Sequence, residues 1–454
     1  MIRATLSCTC VVAIAVLSSV PARADKPINL EARFAQPVMK AAVMKGGPAQ
    51  RNYLRIGLNG CERQPTERTP VNVAFVIDRS GSMQGARIVQ AREAAAAAIR
   101  RLDRNDIASV VIFDDKIDVL VQAQNVDDHA VFIDRIRQVG ARGSTAIHGG
   151  VIEGAQQVRQ NLDQRRLNRV VLSSDGQANV GPRRPEDFAQ LGRELLAQGI
   201  SVSTIGLGMQ YNEDLMQQLA RASDGNHTFV GETTDLIQVF NKEFDDVLAS
   251  CAQTVSIDVE LRPGVRVVRA LSRDGKIEGQ TAQFQLNQVY AATEHYVLME
   301  VEVDQGAASG DAGGNVDLGR VRVSYSTPQD GSRQTIETPV LARFSESNTE
   351  VAASRDITVV EAVVEQSVRE RTAAAIALRD QGQHDQAQGL FRQNVQELEA
   401  QAAHAPLSDR LQYLKRQYDG IVAAPPAASP GAWGAQRKFL RQMDSNPAAP
   451  GSRY

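Results

Sequence analysis

Aromatic residues are few, with 12 Phe, 8 Tyr and 1 Trp in a chain of 454 residues. So few rings exclude a large aromatic recognition surface. Neither sign of charge is in excess, since 50 Lys and Arg face 53 Asp and Glu. That balance excludes the clustered basic footprint of a nucleic-acid binder. Only 6 His and 4 Cys are present, and none stands at zinc-ligand spacing. Beyond the N-terminus no apolar run is long enough to cross a bilayer, so the mature chain is expected to carry no integral membrane segment.

The apolar run at the start is short. Arg3 gives it a positive beginning, Val11 to Leu17 is apolar, and Ala22-Arg23-Ala24 offers a small-x-small cleavage site. Residues 1–24 are therefore expected to be a signal peptide, and the protein to be exported to a periplasmic or extracellular location. Cleavage discards Cys8 and Cys10 and leaves Cys61 and Cys251. In an oxidising compartment those two are expected to pair, the alternative being two separate buried thiols. The bond would close a loop of about 190 residues, worth on the order of 5 kcal/mol of loop entropy.

What is present is strongly patterned. From residue 25 to 70, stretches such as Tyr53-Leu-Arg-Ile-Gly-Leu alternate apolar and polar residues, as half-buried strands do. From 71 to 250 strands and helices alternate: the stripe Ile88, Ala91, Ala95, Ile99, Leu102 is helical, and strands are expected at Arg169–Ser174 and Ser201–Leu207. Helices are expected at Asp128–Gln138, Pro185–Gln198 and Asn212–Ala222, with a closing helix at Thr233–Ala249. Such alternation implies an α/β fold with a mostly parallel, doubly wound sheet. From 251 to 345 the two-residue period returns, broken by Pro263-Gly264, Asp274-Gly275 and Asp330-Gly331 and by a Gly-rich loop at Gly306–Asn315. This reads as an antiparallel β-sandwich whose partner strands precede residue 70, with the α/β segment inserted between and Cys61–Cys251 tying the crossing points. Residues 354–420 read as a C-terminal helical hairpin packed on the β-domain. The Pro- and Ala-rich segment 421–454 is expected to be a disordered tail.

One strand carries chemistry. Val73-Ala-Phe-Val-Ile-Asp78-Arg-Ser80-Gly-Ser82-Met is an apolar run that ends in a carboxylate and two hydroxyls at alternate positions. It is expected to present all three from the carboxyl end of a parallel strand, where open α/β sheets bind ligands. Gly143-Ser-Thr145 offers a third hydroxyl, and Val170-Val-Leu-Ser-Ser-Asp175 ends a second strand on a second carboxylate. Three hydroxyls and two carboxylates are hard oxygen donors, suited to Mg²⁺, Mn²⁺ or Ca²⁺ rather than Zn²⁺. Gly81 and Gly85 are expected to give the turn its conformational room. Arg79 either assists an acidic ligand or points to solvent.

These three segments, in this order, resemble the metal-ion-dependent adhesion site of the von Willebrand factor type A (VWA) family. Ile205-Gly-Leu-Gly and the run Leu219 to Val230 are similar to late segments of the same fold. The wider architecture is similar to secreted bacterial A-domain proteins and, more distantly, to inter-α-trypsin inhibitor heavy chains. The resemblance implies that Ser80, Ser82 and Thr145 ligate the metal directly, while Asp78 and Asp175 act directly or through water. It further implies a protein partner that offers an acidic side chain to an open coordination position, and no enzymatic activity. Two other readings stay open. One is a structural envelope scaffold in which the ion only clips loops together and the helical tail binds partners. The other is a metal-dependent hydrolase, although no Gly-x-Ser-x-Gly, P-loop or His-Glu-x-x-His motif is present.

Overall fold

The computed structural model describes residues 28–41, 49–61, 68–175, 178–208, 211–231, 236–239, 249–304, 314–423 and 430–443. The expected signal peptide and most of the Gly306–Asn315 loop lie outside them, as does the Thr233–Ala249 helix apart from a helical turn at 236–239.

The chain opens with strands β1 (Ile28–Phe34), β2 (Val38–Lys40) and β3 (Gln50–Gly60). It then enters the α/β segment: β4 (Val71–Asp78), α1 (Ala86–Ile99), β5 (Ile107–Phe113), β6 (Ile117–Asn125), α2 (His129–Arg137) and α3 (Ile147–Arg159). There follow β7 (Leu167–Ser174), α4 (Pro185–Leu196), β8 (Ser201–Leu207), α5 (Glu213–Ala222) and β9 (His227–Val230). The sheet order is β6-β5-β4-β7-β8-β9, parallel except for the antiparallel edge strand β6. Strands β4, β5, β7 and β8 are buried along their whole length. Helices cover both faces, which is why the runs Val73–Ile77, Val110–Phe113 and Val170–Leu172 are apolar. From central β4 the chain winds first toward β5 and β6, then returns to build β7, β8 and β9 on the other side. The crevice beyond the carboxyl end of β4 is therefore a topological switch point, where such sheets hold ligands.

The second unit is a β-sandwich of β10 (Ser250–Leu261), β11 (Val265–Ala270), β12 (Lys276–Glu278), β13 (Thr281–Tyr290), β14 (Glu294–Val303), β15 (Val316–Ser326) and β16 (Arg333–Ser345). Its sheets run β1-β3-β14-β11 and β12-β13-β10-β15-β16-β2. Strands from before residue 70 thus enter both sheets, and the α/β segment is inserted between β3 and β10. A Cys61–Cys251 disulfide closes the insertion where it leaves and rejoins the sandwich, with Cα atoms 6.1 Å apart. Arg169 of β7 reaches across the junction to Gln288 (3.0 Å) and Tyr290 (2.8 Å), and Asp224 accepts from the Asn287 amide (2.7 Å) and Arg273 (2.7 Å).

The C-terminal part is helical: α6 (Asn348–Ala353), α7 (Ile357–Asp380), α8 (His384–His404), α9 (Asp409–Ala423) and α10 (Pro430–Met443). Helices α7 and α8 form the expected hairpin, which buries Val368, Ile376, Phe391 and Leu398 and shares a core with Leu298 and Tyr296 of the sandwich. The expectation of a disordered segment over 421–454 is corrected in part. Residues 430–443 form a helix that buries Leu440 and Met443. Pro430 begins this helix, a position where its fixed φ and missing N–H cost nothing. The Pro- and Ala-rich stretch before it and the residues after 443 lie outside the described residues. No helix among the described residues is long and apolar enough to cross a membrane.

Candidate metal centre

Strand β4 delivers Asp78 to the crevice, fully buried. Its Oδ1 accepts the Ser80 amide at 2.7 Å, an Asx-type turn that bends the chain out of the sheet. A single 3₁₀ turn, Gly81–Met83, follows; Met83 plugs into the core and anchors the loop, while Ser82 stays exposed. Gly85 then takes φ +88°, a left-handed conformation that lets α1 start at once. Gly81 has a negative φ, and a Cβ there would meet the Gly143 carbonyl oxygen at 3.4 Å, an ordinary contact, so the conformational room expected of it belongs to Gly85.

Four of the five expected residues form one hydrogen-bonded chain. Ser80 Oγ lies 3.1 Å from Ser82 Oγ, and Ser82 Oγ donates to Asp175 Oδ1 at 2.7 Å. The hydroxyl of Ser174, at the end of β7, donates to the other oxygen of Asp78. Thr145, also buried, comes in on a third loop, tied to the first by Gly81 N–H to the Gly143 carbonyl (3.0 Å) and Arg142 N–H to the Arg79 carbonyl (2.6 Å). Its own backbone is pinned by Asn179: the Thr145 N–H donates to Asn179 Oδ1 at 2.7 Å, and its carbonyl accepts from Asn179 N–H at 3.1 Å.

Burial pushes the Asp78 carboxyl up to about 6, against the hydrogen bonds from Ser174 and Ser80, and the neighbouring Asp175 charge adds to the rise. Two buried carboxylates joined to the hydroxyls of Ser80, Ser82 and Ser174 make a cluster of hard oxygen donors that favours a cation. No group of three His, Cys, Asp or Glu able to hold a metal occurs among the described residues. A metal here would therefore rely on hydroxyls together with Asp78 and Asp175, and this donor chemistry fits a hard divalent ion.

Neither reading of Arg79 holds. The side chain is buried and turns back beneath the loop, where it pairs with Asp114 (2.9 Å) and Asp118. Arg142 joins the same cluster through Asp114 at 2.9 Å. Burial would raise Asp114, but the Lys116 amide, Arg142 and Arg79 outweigh it and hold this carboxyl below the usual range. His148, the histidine nearest Thr145 in sequence, sets its ring edge-on against Phe188 at 5.6 Å. The structure also adds a residue absent from the sequence reading. Arg87, in the first turn of α1, bonds both Asp175 and the Ser82 carbonyl. Its pairing spans 88 positions, which no local pattern reveals.

The site thus lies at the sheet's switch point, inside a segment whose sequence, residues 72–243, matches the family model for the von Willebrand factor type A domain. The chain carries a VWA domain. It is 24% identical over 329 residues to an uncharacterized protein of Synechocystis sp., covering 70% of this chain and 76% of that one. It is also 27% identical over 177 residues to inter-alpha-trypsin inhibitor heavy chain H3 of Homo sapiens. That match covers 37% of this chain and only 20% of the human protein. Among solved structures, the von Willebrand factor type A protein from Catenulispora acidiphila superposes with a TM-score of 0.73 at 14% identity, covering 93% of this chain and 98% of that one. This last likeness, VWA domain and flanking units together, concerns the fold.

Proposed function

We propose that this protein is exported and uses its VWA domain to bind a partner protein through a divalent-metal-dependent site that accepts a carboxylate of the partner. VWA domains mediate protein–protein interactions. The observation that carries the metal-dependent reading is the continuous chain Asp78–Ser80–Ser82–Asp175 at the switch-point crevice, with one exposed hydroxyl at its mouth and Thr145 buried on the adjoining loop. Ser80, Ser82 and Thr145 would hold the ion, with Asp78 and Asp175 balancing its charge. Bound there, the ion would supply a positive centre with an exchangeable position for an incoming acidic side chain. Export is supported by the signal-like first 24 residues and by a disulfide of the kind that persists in oxidising compartments.

Calorimetry with Mg²⁺ or Mn²⁺ tests the ion first. Binding heat and thermal stabilisation are expected in the wild type and should be missing in Asp78→Ala. Partner binding is then tested by immobilising wild type and Asp175→Ala, passing an envelope extract in Mg²⁺ over both, and eluting with chelator. A protein released from the wild type alone supports docking at the metal. Equal retention on both columns would move binding away from this site.

A further inference from the structure

Arg87 stands at the second position of α1 and leans over the loop that carries the hydroxyls. One guanidinium nitrogen, Nη1, donates to the Ser82 carbonyl at 3.0 Å and pairs with Asp175 Oδ2. The other oxygen of the same carboxylate, Oδ1, accepts from Ser82 Oγ at 2.7 Å. Asp175 is therefore divided: one edge faces the hydroxyls, the other faces a fixed cation. The guanidinium slot is closed by Gly208, just beyond β8, which has φ +75° and leaves room where a Cβ would come within 3.2 Å of Arg87 Nε.

The charge balance at the crevice turns on this side chain. Arg79 and Arg142 are committed to Asp114 and Asp118. Among the described residues, the carboxylate partner of Arg87 is Asp175. Asp78 and Asp175, both ionised, would only neutralise a divalent ion. Arg87 converts that neutral sum into an excess of one positive charge, and it does so at the open side, with 36% of its own side chain exposed beside exposed Ser82.

We propose that Arg87 is a positioning residue that sets the ligand sign of the site: it holds the outer edge of Asp175 and gives the ion-loaded centre the net positive charge that draws a carboxylate. The inference rests on the carboxylate-accepting site proposed above. It also carries an opposite effect on the ion itself. A guanidinium beside Asp175 repels a second cation, so Arg87 weakens ion binding while strengthening anion binding. A residue that only braced the loop would weaken both together when removed.

The experiment uses the full mature chain as wild type, Arg87→Met and Arg87→Lys. Mn²⁺ binding is followed by electron paramagnetic resonance. The probe is a capped, otherwise uncharged peptide with a single glutamate, and the same peptide with glutamine serves as control. Expected for Arg87→Met are Mn²⁺ affinity equal to or above wild type and glutamate-peptide affinity lower by at least about tenfold, with Arg87→Lys restoring most of it. Peptide binding by Arg87→Met within about twofold of wild type overturns the proposal. So does loss of Mn²⁺ and peptide together, or a failure of lysine to rescue. If Arg87→Met does not fold in chelator, Arg87→Gln carries the same comparison. A wild type that takes no Mn²⁺ defeats the metal site itself. A wild type that takes Mn²⁺ but does not prefer the glutamate peptide defeats the carboxylate reading, and the role of Arg87 with it.

Discussion

Lys438 Nζ donates to the Tyr211 carbonyl at 3.0 Å and stands 4.3 Å above the centre of that residue's ring. The contact fastens the last described helix, α10, to the VWA domain just before α5. Glu213 completes it by accepting from Lys438 at 2.7 Å, and Arg437 and Arg441 add charge pairs to Glu213 and Asp214. Acidic residues in the first turn of α5 also complement its dipole.

Lys438 and Glu213 are both nearly buried; without Lys438, Glu213 keeps Arg437 but loses one charged donor, and the Tyr211 carbonyl loses its lysine. Lys438→Met should therefore cost about 2 kcal/mol and lower the thermal midpoint by a few degrees. The double variant Lys438→Met with Glu213→Gln should be less destabilised than additivity predicts. Thermal unfolding of the two singles and the double closes the cycle. Additive losses would show that the pair contributes no coupling.

The Cys61–Cys251 bond spans a separation of 190 residues. Reduction, or Cys61→Ser with Cys251→Ser, should cost about 2–5 kcal/mol. Urea midpoints with and without reductant measure this. The bond lies at the junction with the sandwich rather than at the crevice, so Mg²⁺ should still stabilise the reduced protein.

Acid should loosen the protein through two histidines. Burial lowers His227 and His295 to about 4, below the 6.5 of an unfolded histidine. Among the described residues neither ring nitrogen of His295 has a hydrogen-bond partner, whereas His227 is bonded by Thr204 and Tyr211. The unfolded chain binds the extra protons first, so this stability is complete above about pH 6.5 and is lost as pH falls toward 4. His295→Phe should move the acid-unfolding midpoint to lower pH, as followed by circular dichroism. An unchanged midpoint would remove His295 from the account.

Gly208 bears on the site from outside the donor set. Gly208→Ala should cost about 1 kcal/mol for the left-handed backbone alone. The added methyl should also displace the Arg87 guanidinium, so Mg²⁺-dependent stabilisation should change as well. A variant that loses stability with the Mg²⁺ response intact would show that the slot tolerates the methyl.

The legible parts of this molecule are those written locally. Ser201–Leu207 has the strand ends expected of it, and Asp128 and Asn212 cap α2 and α5 by accepting from Ala130 and Leu215. The donor loop was equally readable, because Asp78, Ser80 and Ser82 share one turn. What escaped were pairings across long separations. Arg79 was ambiguous because Asp114 and Asp118 approach it from the β5–β6 turn and from edge strand β6. Helix α10 was missed because its buried face is largely charged: Lys438 and Arg437 look solvated until Glu213, Asp214 and Asp380 are brought to them from distant helices.

The closed insertion also decides where mechanical tension would run. If the polypeptide were pulled by its two ends, α10 would first part from α5, and the load would then arrive at β3 and leave through β10. The covalent shortcut from Cys61 to Cys251 would carry it past everything between those residues. The crevice and its donor loops would then stay slack while the sandwich bore the strain, keeping their shape until the sulfur bridge was cut.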